Sequence, residues 1–122
     1  MWQVEYTDQF EIWWNTLSES TQIDIDASVQ LLEKMGIHLP FPHSSKVNNS
    51  KHSHMRELRV QSRGKPVRVL YAFDPRRHAI LLIGGDKTGH NDWYEKNLPM
   101  ADRLYDAHLQ EIEQENKNGE II

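Results

Sequence analysis

The sequence predicts an α+β fold in which helices pack on one antiparallel sheet, with the element order β-α-α-β-β-β-α. Three observations predict it. Helical spacing of apolar residues dominates positions 10–36, three apolar segments joined by short turns occupy positions 55–85, and helical spacing returns after position 99. A chain of 122 residues with no internal repeat and no linker is expected to fold as one domain.

The first elements are a strand and a short helix. Apolar and polar residues alternate in Trp2–Tyr6, which is typical of a strand. Thr7 or Asp8 can cap the helix that follows, because a side-chain oxygen there accepts a hydrogen bond from a free amide of the first turn. The helix carries an apolar stripe at the spacing i, i+3, i+4 and i+7, formed by Phe10, Trp13, Trp14 and Leu17.

A second helix is expected to pack antiparallel to the first. Ser18 and Ser20 indicate a break in the first helix and a new N-cap. Gly36 indicates the end of the second helix, since glycine readily takes the left-handed conformation found there. The apolar face of this helix consists of Ile23, Ile25, Ala27, Val29, Leu31, Leu32 and Met35.

The second half of the chain predicts a loop, three strands and a helix. Residues 37–54 are rich in Pro, Ser, Asn and His and are expected to form a loop whose length indicates a function. The strands form an antiparallel meander, and the third is apolar enough to be covered on both faces; they are Met55–Val60, Val67–Asp74 and Ala79–Gly85. A last helix is expected to begin at Pro99, and residues 114–122 to fray.

The composition excludes several classes of protein. Cysteine is absent, which excludes disulfides, thiolate metal sites and a cysteine nucleophile. No apolar segment approaches the roughly 20 residues that span a bilayer, and the first residues do not resemble a signal peptide, so we expect a cytoplasmic protein without membrane contact. His52 and His54, with His43 and His90, lack a carboxylate at metal-binding spacing, so no metal and no cofactor are expected.

Charge is distributed unevenly along the chain. The formal net charge is −4, but residues 46–90 contain ten basic and three acidic residues, a net charge of +7. Residues 1–45 carry −6 and residues 91–122 carry −5. A basic segment of this kind indicates either a polyanionic partner or a solvated surface, and charge alone does not decide between them.

Arg68 is the most informative residue of the basic segment. It lies inside an otherwise apolar predicted strand, where an unpaired charge is costly. Alternation places Glu57 and Arg59 together on one face of the preceding strand. The Arg68 guanidinium therefore either forms an ion pair with Glu57 across the sheet or binds a phosphate group, which its planar fork matches well.

The segment after the third meander strand is a second candidate site. Residues 84–90 have the sequence GGDKTGH, in which glycines permit close backbone approach and Lys87 and His90 could reach a ligand. The segment is not a phosphate-binding P-loop, because the order of its residues differs. Trp93 and Tyr94 follow this segment and could stack on a base.

Several short motifs in one order carry a resemblance to a known family. ELR at positions 57–59 is followed by RVLYAFD at positions 68–74, an apolar strand, a basic loop, and PMADRLYDAHL at positions 99–109. In this combination the chain resembles toxins of the RelE/ParE superfamily, in the HigB-type, phage-derived branch. The resemblance covers about residues 1–113, which we take as the single domain.

The resemblance implies a fold, an activity and partners. The implied fold is the RelE-like microbial RNase fold, and the implied activity is that of a type II toxin–antitoxin toxin. Such a toxin is a metal-independent endoribonuclease that cleaves mRNA on the ribosome and inhibits translation. The implied partners are this mRNA and a cognate antitoxin, typically a helix-turn-helix protein. A ParE-like gyrase inhibitor and an inactive antitoxin-binding module are the alternatives.

The resemblance also implies roles for individual residues. Arg68 matches the strand arginine that holds the scissile phosphate, and Arg59 matches the arginine of ELR. Lys87 matches a basic position that stabilises the transition state or acts as an acid. His90 or Tyr94 falls where the family places a group that stacks on the substrate or exchanges protons with it.

Other assignments stay open within the family. His54 and His90 are the candidate base and acid, since imidazole titrates near neutral pH. Glu57 and Met55 stand where the RelE type has basic residues, which leaves the base unassigned. We expect RNA to bind on the basic side of the sheet, opposite the acidic helices, through Lys51, Arg56, Arg63, Lys65, Trp93 and Tyr94 in addition to the catalytic residues.

Overall fold

The computed structural model describes the backbone of residues 1–120 and the side chains of residues 1–118. In chain order, these residues form β1 (Val4–Tyr6), α1 (Asp8–Trp14), α2 (Glu19–Met35), a 3-10 turn (Gly36–His38), β2 (Ser44–Lys46), β3 (Arg56–Ser62), β4 (Lys65–Phe73), β5 (Ala79–Asp86) and α3 (Trp93–Glu120). The predicted α+β class and the order of its elements are confirmed. The difference is β2, a short strand within the segment that the sequence predicted to be a loop.

The five strands form one sheet in the order β1-β5-β4-β3-β2. Strands β2 to β5 pair antiparallel, whereas β1 pairs in parallel with β5 at one edge. The register between β3 and β4 places Arg59 directly opposite Arg68. Because opposite residues of an antiparallel pair project to the same face, Glu57, Arg59 and Arg68 share one face of the sheet.

Helices cover both faces of the sheet. Helices α1 and α2 pack on the face that contains Leu58 and Val69, and α3 packs on the face that contains Leu70. Strand β5 lies between the two layers and is buried on both faces, as the sequence predicted. The helices therefore do not all lie opposite the basic side, which corrects that expectation: α3 crosses β4 and β5 on the same face as Arg59 and Arg68.

The N-terminal helices begin at predicted N-caps and α2 ends at the predicted glycine, whereas α1 ends at Trp14, before the Leu17 of its predicted stripe. The Thr7 side chain accepts a hydrogen bond from the amide of Phe10, and the Ser18 side chain accepts one from the amide of Thr21. Gly36 ends α2 with a φ of 55°. A Cβ at Gly36 would also lie 2.0 Å from the Trp2 ring, so both the backbone and the packing require glycine there.

Helix α3 differs from its prediction at both ends. It begins at Trp93, and Pro99 lies inside it, because burial of Trp93 and Leu98 outweighs the hydrogen bond lost at the proline. It continues through Glu120, so residues 114–120 are helical rather than frayed, and residues 121–122 lie outside the described part. Within residues 1–120, no helix combines the length and the apolar character needed to cross a bilayer.

Candidate active site

Two arginines lie side by side on the face of the sheet that α3 covers in part. Arg59 on β3 and Arg68 on β4 are direct neighbours across the strand pair. Glu57 shares their face and is buried. Its carboxylate lies 3.4 Å from Arg59 Nη1 and 3.7 Å from Arg68 Nε. The ion pair between Arg68 and Glu57, one of the two alternatives from the sequence, is therefore present, and it is a loose one.

The Glu57 carboxylate also accepts hydrogen bonds from hydroxyl groups on two other elements. Ser45 Oγ on β2 donates to Glu57 Oε2 at 2.7 Å, and the Tyr94 hydroxyl in the first turn of α3 donates to Oε1. The carboxylate thus contacts groups from β2, β3, β4 and α3. These contacts fix its position between the two guanidinium groups, since each oxygen has a hydroxyl donor and a cation near it.

Arg68 is a buried cation that its protein partners satisfy only in part. Its side chain is 7% exposed. Nη1 donates to the Val67 carbonyl at 3.0 Å, while Nε has no hydrogen-bond acceptor among the described residues. A guanidinium has five N–H donors in a planar fork that matches phosphate oxygens. The second alternative from the sequence, phosphate binding, is thus compatible with the ion pair to Glu57.

Tyr94 keeps its hydroxyl proton at neutral pH. Burial and the hydrogen bond to Glu57 raise the pKa of this hydroxyl to about 12. The Tyr94 ring also contacts a cation, because Lys87 Nζ lies 5.3 Å from the ring centroid. Tyr94 therefore connects the central carboxylate with the lysine that follows β5.

The turn after β5 is held by its own hydrogen bonds. The Lys87 amide donates to the Pro66 carbonyl on β4 at 3.0 Å, and the His90 amide donates to the Lys87 carbonyl at 3.1 Å. The Asp86 carboxylate accepts a hydrogen bond from the Thr88 amide at 2.9 Å. Lys87 and His90 thus belong to one ordered turn, with the imidazole of His90 exposed.

The two glycines at the end of β5 have a different role from the one expected. A Cβ at Gly85 would lie 2.5 Å from Trp93 Nε1, and one at Gly84 would lie 2.2 Å from the Trp13 ring. The glycines therefore make room for tryptophan side chains rather than for a ligand. Trp93 is 6% exposed and packs in the core, so its ring is not accessible for stacking on a base.

His54 lies away from the arginine pair. Its Nε2 is 3.0 Å from the Tyr105 hydroxyl, and Tyr105 follows Tyr94 by about 16 Å along the axis of α3. Burial and the neighbouring His52 lower the pKa of His54. The structure therefore does not bring His54 together with the other predicted catalytic residues.

The remaining predicted RNA-binding cations are dispersed over the surface. Lys51 pairs with Asp106 of α3 at 2.8 Å, and Lys65 lies 4.0 Å from Asp86. Arg56 projects to the α1–α2 side, where its Nε donates to Ser44 Oγ, and Arg63 lies in the turn between β3 and β4, where it contacts Ser20.

The structure thus assembles part of the predicted set and adds residues to it. Arg59, Arg68, Lys87 and Tyr94 lie together, with His90 in the adjoining turn. Alternation had placed Glu57 on the right face, but its central position depends on contacts that no sequence pattern indicated. Ser45 and the exposed Phe41, whose ring centroid lies 5.2 Å from Arg59 Cζ, come from the segment predicted to be irregular.

Comparisons with known proteins identify relatives of this chain. The family described as "Phage derived protein Gp49-like (DUF891)" matches residues 12–106. "Putative toxin HigB3" of Mycobacterium tuberculosis is 43% identical over 96 residues, which cover 78% of this chain and 82% of that protein. "Putative toxin HigB2" of the same organism is 37% identical over 108 residues, which cover 87% of this chain and 54% of that protein.

The solution structure of the conserved hypothetical protein HP0894 from Helicobacter pylori aligns with a TM-score of 0.45 and 15% identity, over 72% of this chain and 97% of that one. The family match is the more informative finding, since it spans α2, the whole strand meander and the first half of α3. Every residue of the arginine cluster, by which we mean Ser45, Glu57, Arg59, Arg68, Lys87 and Tyr94, falls inside it. The chain belongs to the phage-derived Gp49-like family.

Proposed function

We propose that this chain is the toxin of a toxin–antitoxin pair and that it acts as an mRNA endoribonuclease on the ribosome, which inhibits translation. The names of the two mycobacterial relatives support the toxin assignment. The nuclease assignment depends on one observation: Arg59 and Arg68 lie side by side around the carboxylate of Glu57, and Arg68 has a donor that no described residue uses.

The arginine pair is suited to binding a phosphodiester. Arg68 presents the accessible part of its fork to the phosphate oxygens, since its Nε is buried beside Glu57, and the more exposed Arg59 adds a second positive charge. During cleavage the phosphorus becomes pentacovalent and its oxygens gain negative charge. Cations fixed in a partly desolvated site stabilise this charge without a metal ion.

The bond changes require a base and an acid. The 2′-oxygen of the ribose forms a bond to phosphorus, the bond from phosphorus to the 5′-oxygen breaks, and a 2′,3′-cyclic phosphate and a 5′-hydroxyl result. A base takes the 2′-hydroxyl proton, and an acid gives a proton to the departing 5′-oxygen. Glu57 is the candidate base because it lies between the guanidinium groups, and Lys87 or His90 is the candidate acid.

Tyr94 and Ser45 act in this proposal as positioning residues. Both donate hydrogen bonds to Glu57, and Tyr94 keeps its proton because its pKa is about 12. His54 has no part in the proposal, because its imidazole lies with Tyr105.

The proposed partner is an antitoxin, a helix-turn-helix protein encoded beside this chain, and the proposed site of action is the cytoplasm, where mRNA is translated. Sequencing of the neighbouring reading frame tests the first point. A small helix-turn-helix protein that copurifies with this chain and relieves its toxicity is the expected result.

The nuclease proposal is tested by inducing the chain in cells and mapping RNA 5′ ends. We expect new 5′ ends within translated coding regions and an arrest of growth. Arg68→Ala is expected to remove both effects. Arg103→Ala is the matched control, since it removes an exposed arginine on α3 outside the cluster. Growth arrest with intact mRNA and induced DNA-damage signalling would instead favour gyrase inhibition, and harmless overexpression would favour an inactive binding module.

A further inference from the structure

Phe41 is the most exposed of the Phe, Tyr and Trp residues in the part of the chain that the structure describes. Its relative exposure is 69%, and Tyr6 follows with 58%. Pro40 and Pro42 flank it, which restricts the backbone on both sides of the ring. The amides of His43 and Ser44 both donate to the Pro40 carbonyl, at 3.0 Å and 3.1 Å, and close the turn. The ring is therefore presented to solvent on an ordered turn.

This turn is attached to the sheet beside the arginine pair. The Arg59 amide donates to the His43 carbonyl at 2.9 Å. The Arg59 guanidinium lies over the Phe41 ring, with Cζ 5.2 Å from the centroid. Arg59 is also the direct cross-strand neighbour of Arg68, at a distance of about 5 Å between such residues. The exposed ring thus contacts one of the two arginines of the proposed phosphate site.

We propose that Phe41 is a base-stacking platform for the RNA substrate. An unpaired nucleobase next to the scissile phosphate stacks on the open face of the ring, while the Arg59 guanidinium supports the opposite face. The inference rests on the proposed ribonuclease function and adds to it a residue that contacts a base rather than a phosphate.

The chemistry of single-stranded RNA matches this arrangement. Proteins that bind unpaired RNA place its splayed bases on aromatic rings and hold its backbone with cations. Here the ring and the cations are adjacent, so one nucleotide and its phosphate can contact both. Stacking accepts every base, because each has a π face. Phe41 therefore positions the strand and does not read its sequence through hydrogen bonds.

The test measures the affinity of the chain for ribosomes programmed with an mRNA that lacks the 2′-hydroxyl at the cleavage position and stays intact. Each nucleotide beside that position is replaced in turn by an abasic one. Phe41→Ala is expected to weaken binding about 5- to 150-fold, the range for loss of one stacked base. One abasic position is expected to weaken wild-type binding to a similar extent, but to have no further effect on Phe41→Ala, because the same contact is already lost.

Three further variants separate stacking from other roles. Phe41→Trp is expected to retain affinity, whereas Phe41→Leu, which is apolar but has no π face, is expected to bind as weakly as Phe41→Ala. Tyr6→Ala removes an exposed aromatic residue from β1, at the opposite edge of the sheet from β2, and is expected to bind as the wild type does.

The outcomes distinguish this inference from the proposed function. Equal abasic losses for Phe41→Ala and wild type at every position, or wild-type affinity of Phe41→Leu, would overturn stacking. If Phe41→Ala lost affinity only for the antitoxin, Phe41 would be a protein contact, which would also overturn stacking.

Cleavage of ordinary mRNA is followed on the same ribosomes. Cleavage without the stacking signature leaves the nuclease proposal intact, and the signature without cleavage leaves the stacking inference intact. A wild-type chain that does not bind overturns the inference, while the mapping of 5′ ends in cells decides on the nuclease.

Discussion

Two arginines, one within β4 and one just after it, have very different surroundings. Arg76, just after the strand, forms a tight network: its Nη2 lies 2.6 Å from Asp74 Oδ2 and 2.7 Å from Glu5 Oε2, and its Nε donates to Asp74 at 3.0 Å. Arg68, near the start of the strand, lies 3.7 Å from Glu57, and its Nε has no acceptor among the described residues. Arg76 is held by two carboxylates at hydrogen-bond distance, whereas Arg68 has one loose ion pair and a buried Nε without an acceptor among the described residues.

The pKa values in the tight network follow from this geometry. The hydrogen bond to Asp74 raises the pKa of Arg76. Burial alone would raise the pKa of Asp74, but hydrogen bonds from Arg76 and His108 outweigh it and hold that pKa below its usual value. Glu5, Asp74 and His78 converge closely enough for a cation, and the guanidinium of Arg76 fills that role. Ion pairs are thus expected to stabilise the fold at Arg76 and to serve the reaction at Arg68.

The largest expected effect is that of Arg68→Met on the cleavage rate. Methionine keeps the apolar stem of the side chain but cannot bind phosphate, so the cleavage rate should fall about 100- to 1000-fold. The free energy of unfolding should change by less than about 1 kcal/mol: Glu57 loses one cation but keeps Arg59, Ser45 and Tyr94, and a buried, partly unsatisfied cation is removed. Single-turnover cleavage on ribosomes and urea unfolding measure the two effects. A destabilised but active variant would contradict the distinction between the two arginines.

Arg76→Met should give the opposite result. The variant leaves Asp74 buried without its guanidinium partner, so the free energy of unfolding should fall by about 3 kcal/mol. The cleavage rate per folded molecule should stay at the wild-type value, since Arg76 lies outside the arginine pair. Urea unfolding and single-turnover cleavage below the unfolding transition test this. A rate that falls as far as that of Arg68→Met would show that both arginines serve the reaction.

Asp74→Asn tests the same network through its pH dependence. A carboxyl group whose pKa is lower in the folded state contributes stability above its unfolded pKa, and this contribution is lost as the pH falls through the folded pKa. We therefore expect wild-type stability to decline as the pH falls below about 4, the ordinary range of an aspartate. Asp74→Asn should be less stable at neutral pH by about 2 kcal/mol and should show a smaller acid decline. Thermal unfolding between pH 2 and pH 7 measures this, and parallel curves for both proteins would contradict it.

The sequence predicts the faces of the strands better than the path of the loops. Alternation alone places Glu57 with Arg59, because the pleat of a strand is fixed. The pairing of Arg59 with Arg68 depends on the register, which the turn at Arg63 and Gly64 determines through two residues with positive φ. A shift of one residue would have moved these side chains to opposite faces, and periodicity does not report the register.

The position of His54 shows why part of the candidate site was not predictable. The segment before it is attached to α3, where Asp102 accepts from Ser50 and Asp106 accepts from Lys51 and lies 2.8 Å from His52. These contacts are more than 50 residues apart in the chain. Local sequence patterns carry no information on contacts so far apart in the chain. The sequence therefore indicated that His54 could transfer protons, but not where its imidazole lies.

The smallest expected effect comes from Tyr94→Phe, which removes one donor to Glu57 and keeps the ring under Lys87. The free energy of unfolding should fall by about 1 kcal/mol, and the cleavage rate should fall about tenfold. Glu57 loses one of the hydrogen bonds that position it but keeps Ser45 and both cations. A tyrosine whose pKa is raised to about 12 contributes stability that is complete below its unfolded pKa, about 10, and is lost as the pH rises towards 12. The variant should therefore lose less stability than the wild type between pH 9 and pH 12.

Tyr105→Phe is the matched control. The Tyr105 hydroxyl donates to the Phe73 carbonyl, and burial raises its pKa as well, but it does not contact Glu57. The Tyr105→Phe variant should lose stability and keep the wild-type cleavage rate. A tenfold fall in the cleavage rate of this control would show that the effect at Tyr94 comes from the packing of α3 rather than from the hydrogen bond to Glu57.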